Sequence, residues 1–574
     1  MPAPARSTPS VPGRSRWSGW WQGRSGVAAF LGLVAFLVSF APSLLPRSWA
    51  FQALATGLSA ATAYALGVLL VFLLRPLIDF LGIRLVVEPR RRRLVGALTA
   101  LVVLAAVGWV VHLQRQARAL TAELVGLPPP SLLDDVRALL GGIALALSIV
   151  ALVVLVRISL AGWRRVLRIA LPPWLARIAA VLLVVALVGY TSNEYLLRRT
   201  LESVSAAALR LNDSTPDLAE PTSRLRSGGP GSTQPWDELG FHGQVFTASG
   251  PTRTEIEAVT GEPAQEPIRV YGSLGDELSL DEVSDNVVRE LVRTGAFDRS
   301  TLTLIGTTGR GWVDEYNVAS IEYLTGGDSA TAAMQYSYLP SPVAFLTSRQ
   351  APAEAGRLLF EKVYAEVRSR PADERPRLYV SGESLGAFGG TAAFEDADDL
   401  VAKVDGAVWV GTPSFTPLWS SITAERLRGS PQVSPVFEQG RHIRFVTGPA
   451  GLDRDAYGRE YGAWQEPRVA FLQHASDPIV WWSPGLVLQE PDWIREGAGG
   501  DVNIGLRWWP LVTFWQVTLD MAVANDPPAG HGHVYEDDLV PVWDAVLHGQ
   551  RSSLDQLDRI VAELHATVPD TPEG

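Results

Sequence analysis

The sequence predicts two unlike halves: a bundle of about five membrane-spanning helices, then an α/β domain with a mostly parallel sheet and helices on both faces. Three observations carry this. Apolar residues crowd into long uncharged runs before residue 191 and into short, strand-length runs after residue 241. Charge divides at the same place. Residues 1–191 hold 19 Arg, no Lys and five Asp or Glu, a net +14, and the remainder carries −25, which together give the overall −11. Such asymmetry implies two parts in different surroundings. The second half also alternates β-branched runs with amphipathic, helix-length stretches.

After a tail at 1–25, five stretches read as spans: 26–45, 51–74, 94–113, 138–156 and 174–191. Each is nearly free of charge and long enough to cross ~30 Å of hydrocarbon. The first resembles a signal peptide, but four more follow, which marks it as a retained anchor. Arginines set the orientation. The tail has four, the second connection has Arg75, Arg84 and Arg90 to Arg93, and the fourth has Arg157, Arg164, Arg165 and Arg168, against Arg47 alone in the first. The positive-inside rule then places the N-terminus in the cytoplasm and everything after about residue 192 outside it. No Asp, Glu, Lys or Arg lies in the middle of a span. That favours an anchor or lipid-contacting bundle over an ion pathway.

Residues 192–240 read as a linker, with Ser227-Gly228-Gly229-Pro230-Gly231-Ser232 as flexible chain. A compact domain is expected over 241–574. Strands are predicted at 268–271, 301–305, 332–338, 377–381, 404–410 and 469–472, and helices at about 313–324, 352–370 and near the C-terminus. The acidic balance of this half excludes a phosphate-binding nucleic-acid surface. Absence of Cys excludes disulfides and thiolate metal sites.

Chemistry is concentrated at Gly382-Glu383-Ser384-Leu385-Gly386, which follows the apolar run Leu378-Tyr379-Val380 and precedes Ala387, Gly389 and Gly390. Strand, sharp turn and helix with small neighbours form the elbow that exposes a nucleophilic serine in α/β-hydrolases. A serine hydroxyl is a poor nucleophile unless a base reaches it, and the base needs an orienting acid. In that fold the order is Ser, then Asp or Glu after a later strand, then His. Asp477 follows the run Val469 to Gln473, and Pro478 after it argues against a helix at that point. Four of the eight histidines lie beyond Asp477, and two of these, His548 and His565, fall in helical stretches. His533 is the favoured base and His531 its rival, both on a loop after Pro527-Pro528-Ala529-Gly530. Their His-x-His spacing, without carboxylate or Cys ligands at motif spacing, gives no metal site, and no cofactor is expected.

A developing oxyanion needs two preorganised N–H donors. Leu385 supplies one by elbow geometry, and Thr307 or Thr308, in the Gly306 to Trp312 loop, is the candidate for the second. Trp481, Trp482, Trp493, Trp508, Trp509 and Trp515 fall between the proposed acid and base, as core, acyl-pocket lining or bilayer contacts.

With these residues in place, the chain resembles a family of actinobacterial membrane-anchored α/β-hydrolases with a multi-span N-terminal region. The resemblance is carried by Arg293-Thr294-Gly295-Ala296-Phe297, Gln335-Tyr336-Ser337-Tyr338-Leu339-Pro340, the Ser384 pentapeptide, Leu472 through Pro478, and Gly530-His531-Gly532-His533-Val534-Tyr535. One departure is Gly306-Thr307-Thr308-Gly309-Arg310-Gly311-Trp312, where Pro-Thr-Gly-Thr-Gly-Trp is the family's pattern. The resemblance implies an α/β-hydrolase but carries no substrate with it; the residues themselves point to a serine esterase or lipase-like enzyme on a lipid-like ester, in contact with membrane lipids. An acyltransferase with the same acyl-enzyme, and a non-catalytic envelope protein that binds lipid or a partner, are the alternatives.

Overall fold

A computed structural model of the chain describes residues 25–80, 89–275, 278–548 and 552–568. The N-terminal region consists of long helices: α1 (Ser25–Val38), α2 (Trp49–Phe80), α3 (Pro89–Leu124), α4 (Leu132–Leu167) and α5 (Pro173–Thr191). A π-helical stretch, Ser192–Arg198, carries α5 straight into α6 (Arg199–Asn212). Apolar side chains point outward along these helices: Phe72 is 72% exposed, Leu155 62% and Leu182 63%. Water would not tolerate so much exposed hydrocarbon, whereas lipid does.

Among the described residues, three helices are long and apolar enough to cross a membrane: Trp49–Leu74, Leu132–Leu167 and Pro173–Asn212. This is fewer than the five spans expected from hydropathy. The 14 residues of α1 rise only about 21 Å, short of ~30 Å of hydrocarbon. The run 94–113 falls in α3, many of whose side chains lie outside the described residues.

The second half continues with α7 (Gly240–Ala248), β1 (Ile268–Gly272), α8 (Leu280–Thr294), β2 (Thr301–Gly306), α9 (Glu315–Leu324), β3 (Ser329–Met334), α10 (Ala351–Ser369), β4 (Arg377–Glu383) and α11 (Leu385–Thr391). It ends with β5 (Gly406–Val410), β6 (Ile443–Val446), β7 (Arg468–Leu472), α12 (Val512–Asp520), α13 (Glu536–His548) and α14 (Leu554–Thr567). The strands form one seven-stranded sheet in the order β1-β3-β2-β4-β5-β7-β6. Every pairing is parallel.

Strand periodicity explains why both faces are covered. Val380, Ala407, Trp409, Val469 and Phe471 enter one core with α8 and α10, while Tyr379, Val408, Val410, Ala470 and Leu472 enter another with α13. Runs buried on both sides are what a parallel sheet requires. The chain leaves β2 toward β3 and then crosses back to β4, so the winding of the connections reverses between β2 and β4 while the strands stay parallel. In open α/β sheets, ligands bind at the carboxyl ends of the strands at such a point.

Three sequence readings are corrected. The strand read at 332–338 is β3, and it ends at Met334, where Gln335 turns its amide back to Gly272 O at 2.8 Å. β6 was not anticipated. The stretch read as a flexible linker is built into the fold. Arg226 is buried beside β1, bridging to Arg269 and donating to Thr247 O at 3.0 Å. Ser227 Oγ, Ser232 Oγ and the Thr233 amide all donate to the Glu290 carboxylate.

Nor is the α/β half separate from the helices. Leu44, Leu45 and Val125 belong to the same core as the sheet. Arg47 and Asp520, both nearly inaccessible, pair at 2.7 Å, and Asn503 donates to Ala117 O at 2.7 Å.

Candidate active site

At the end of β4 the chain reverses at Ser384, with φ 54° and ψ −118°, and enters α11 directly. A residue with a side chain is strained at positive φ and persists there only when its surroundings hold it. Here the Ser384 amide donates to Val410 O on β5 at 3.0 Å, and the Phe388 amide closes the first turn onto Ser384 O at 3.1 Å. Glycine makes the approach possible. A Cβ on Gly386 would lie 2.1 Å from Gly306 O, and one on Gly382 2.6 Å from the Gly386 carbonyl carbon. The two outer glycines of the pentapeptide thus let α11 rest on the ends of β2 and β4.

Asp477 lies just beyond β7 and is fully buried. Its Oδ2 is 2.6 Å from His533 Nδ1 and accepts the Tyr535 hydroxyl, also at 2.6 Å. Its Oδ1 accepts the Ile479 amide at 2.8 Å and the Val480 amide at 3.4 Å. Asp477 is therefore the N-cap of a helical turn, Pro478–Trp481. This corrects the sequence reading of Pro478: it restricts Asp477 but is well suited to the first position of a helix. Burial, together with the neighbouring Asp477 charge, pushes the Tyr535 phenol well above its ordinary range, so it remains a donor.

A carboxylate at Nδ1 sets the proton there and leaves Nε2 as the acceptor. The ring of His533 rests on Gly411, where a Cβ would be 2.4 Å from Cε1. Val410, the preceding residue, holds the Ser384 amide, so one strand end seats both Ser384 and His533. Glu383 Oε1 lies 3.6 Å from His533 Nε2.

His531 faces elsewhere. Its Nδ1 is 3.4 Å from Asp501 Oδ2, which also accepts Ser476 Oγ at 2.5 Å. The loop carrying both histidines is clamped from beneath by buried His474, whose Nδ1 is 2.9 Å from Gly532 O and whose Nε2 is 2.8 Å from Asp538 Oδ2. The His474 ring also stacks on Tyr535 at 4.1 Å.

Leu385 is the first residue of α11, and the amides of a first helical turn have no acceptor within the helix. In the loop after β2, Thr307 Oγ1 donates to Met334 O at 2.8 Å, and the Thr308 amide is committed to Trp312 O at 3.0 Å. Beside this loop, His242 is buried with neither ring nitrogen hydrogen-bonded. Burial, with Arg310 nearby, lowers its pKa to about 4.

The sheet order, the strained Ser384 and the sequential Ser, Asp and His positions meet a family match that covers half the chain. The model of an alpha/beta-hydrolase family matches residues 268–560, and that of the same family's N-terminus matches residues 40–251. The chain belongs to this alpha/beta-hydrolase family. No curated protein and no solved structure matches it. The N-terminal family unit runs through the supposed linker, in keeping with the packing of Arg226.

Sequence reasoning missed Tyr535, His474, Asp538 and Glu383. Tyr535 lay inside a motif already singled out, two residues from His533. His474 precedes Asp477 in the chain, outside the order expected of a base, and Asp538 carries no local signal. Of the six tryptophans, Trp481 and Trp493 are core, while Trp482 and Trp508 are half-buried and donate to Thr518 Oγ1 and Leu486 O.

Proposed function

We propose that this protein is a membrane-anchored serine hydrolase acting on a carboxylic ester, with Ser384 as nucleophile, His533 as base and Asp477 as its orienting acid. The N-terminus is cytoplasmic, the long apolar helices cross the membrane and the catalytic half lies outside. The observation that carries the reading is the strained Ser384 held against the end of β5, which also seats a His533–Asp477 pair at 2.6 Å.

In this reaction His533 Nε2 takes the Ser384 Oγ proton as the oxygen bonds to the ester carbonyl carbon. The oxyanion is held by the Leu385 and Thr307 amides. Collapse of the intermediate expels the alcohol, which leaves with the proton from Nε2. Water then repeats the sequence on the acyl-enzyme, releasing the acid and restoring Ser384. Asp477 keeps its negative charge throughout, supported by its four donors, and stabilises the imidazolium. Glu383, at 3.6 Å from Nε2, adds a second negative group beside that cation.

The test is fluorophosphonate labelling of the full chain with adduct mapping. An adduct on Ser384 is expected, absent from Ser384→Ala. His533→Ala should reduce short-ester turnover by about a thousandfold or more, and His531→Ala only a few-fold. Unchanged turnover in Ser384→Ala would overturn the assignment.

A further inference from the structure

We propose that a row of half-buried aromatic rings forms a lateral channel for the acyl chain of a membrane lipid, so that the ester reaches Ser384 from the bilayer rather than from water. The inference rests on the serine hydrolase reading and names its substrate class.

The row starts at the elbow. Phe388, one turn past Ser384 on α11, has its ring 6.0 Å from Phe415 and 5.9 Å from Phe345. Phe415 belongs to the loop that begins at Gly411, the residue beneath His533, and its ring is 6.4 Å from Trp482. Trp482 ends the helical turn that Asp477 caps, and its ring is 6.0 Å from Phe514 on α12. Phe514 in turn lies 5.2 Å from Trp515. The segments that bear Ser384, seat His533 and carry Asp477 thus each contribute a ring.

The row ends in the membrane helices. Val512, at the start of α12, is packed against Ala35 of α1 and Ala63 of α2. Ala63 is about 20 Å along α2 from Trp49, well inside a helix apolar enough to span. Large apolar side chains stand out on the same segment between Asp477 and His533: Leu488 is 72% exposed, Ile504 88% and Trp509 41%. Apolar groups in this number are unfavourable in water and favourable in the interfacial zone, where Trp is at home. Buried polar contacts fix the arrangement: Asp520 meets Arg47, Ser43 Oγ and the Leu44 amide.

Rings that served only as core would be sealed. Phe345, Phe415, Trp482, Phe514 and Trp515 are each only partly covered, and they lead from the nucleophile to a bilayer-facing helix. A continuous row of partly covered rings suits contact with an extended hydrocarbon chain.

The experiment uses the full chain in phospholipid nanodiscs and two fluorophosphonates, one ethyl and one hexadecyl with a terminal diazirine. Both should label Ser384. On irradiation, the hexadecyl probe should crosslink to peptides containing Trp482, Phe514 or Trp515. Phe415→Ala should lower the hexadecyl-to-ethyl ratio of labelling rates by about tenfold, with Phe514→Leu as a milder variant in the same direction. Crosslinks confined to α10, or an unchanged ratio in both variants, would overturn the channel while leaving the hydrolase reading intact. Failure of the ethyl probe to label Ser384 would overturn the hydrolase reading and the channel with it.

Discussion

The elbow at Ser384 and the segment between Asp477 and His533 both follow the carboxyl ends of strands, β4 and β7, but are held by opposite means. At the elbow the backbone itself is the fastener: Gly306, Gly382 and Gly386 touch so closely that no side chain fits between them. The segment is held by distant polar partners, Arg47 with Asp520 and Asn503 with Ala117 O, hundreds of residues apart in sequence. The first device tolerates no added atom. The second tolerates many, provided its charges stay paired.

One substitution made in both regions should give the largest contrast. Gly386→Ala drives a methyl into Gly306 O at 2.1 Å, whereas nothing lies within 4 Å of a Cβ on Gly500 in the segment. We expect Gly386→Ala to lose activity by more than about a hundredfold, because backbone cannot yield and a displacement near 1 Å at the nucleophile is that damaging. Gly500→Ala should stay within about 0.5 kcal/mol of the parent in thermal unfolding. Equal behaviour of the two would remove the distinction.

The segment should break through charge. Arg47→Met leaves Asp520 fully buried without its cation, and burial already raises that carboxyl's pKa. A loss of about 3–5 kcal/mol is expected on thermal denaturation, and Arg47→Met with Asp520→Leu together should recover most of it. If the double variant is as unstable as the single one, the attachment depends on packing and not on the pair.

This contrast also explains what was legible in the sequence. Ser384 and Asp477 stand on strand-and-turn patterns a few residues long, the kind of signal that a local reading can use. The Ser227 to Ser232 run has the composition of flexible chain, and nothing near it announces that Glu290, far along the sequence, will gather its donors. β6 is only four residues long and carries Arg444, whose guanidinium is buried among the carbonyls of Gly440, Leu452 and Gly462. A charged residue inside a strand this short leaves only three apolar positions, too few for a hydropathy pattern. Hydropathy likewise found apolar stretches, but α1 is too short as a helix to count as a span by itself.

Acid offers a finer probe of the elbow side. His242, next to Arg310 in the loop after β2, has its pKa lowered to about 4 by burial. Its folded form therefore resists the proton that the unfolded chain accepts from about pH 6.5 downward. Stability should be unaffected above that pH and fall as the pH drops toward 4, by about 3 kcal/mol in all. His242→Phe should flatten that slope. A slope that persists unchanged in the variant would place the acid-sensitive group elsewhere.

The smallest effect separates orienting from reacting groups at the elbow's partner loop. The Tyr535 hydroxyl donates to Asp477 Oδ2 and accepts the His474 amide at 3.2 Å, so it ties the acid to the clamp under the histidine loop. Tyr535→Phe removes one of four donors to Asp477 and leaves the His474 amide without that acceptor. Both changes are of hydrogen-bond size, about 1 kcal/mol each, and His533 Nδ1 with two amides still hold the carboxylate. The kcat/KM for a short ester should therefore fall by about tenfold, with the Ser384 adduct still formed. A loss comparable to His533→Ala would mean that Tyr535 takes part in proton transfer, and the division between the pair that reacts and the residues that hold it would have to be redrawn.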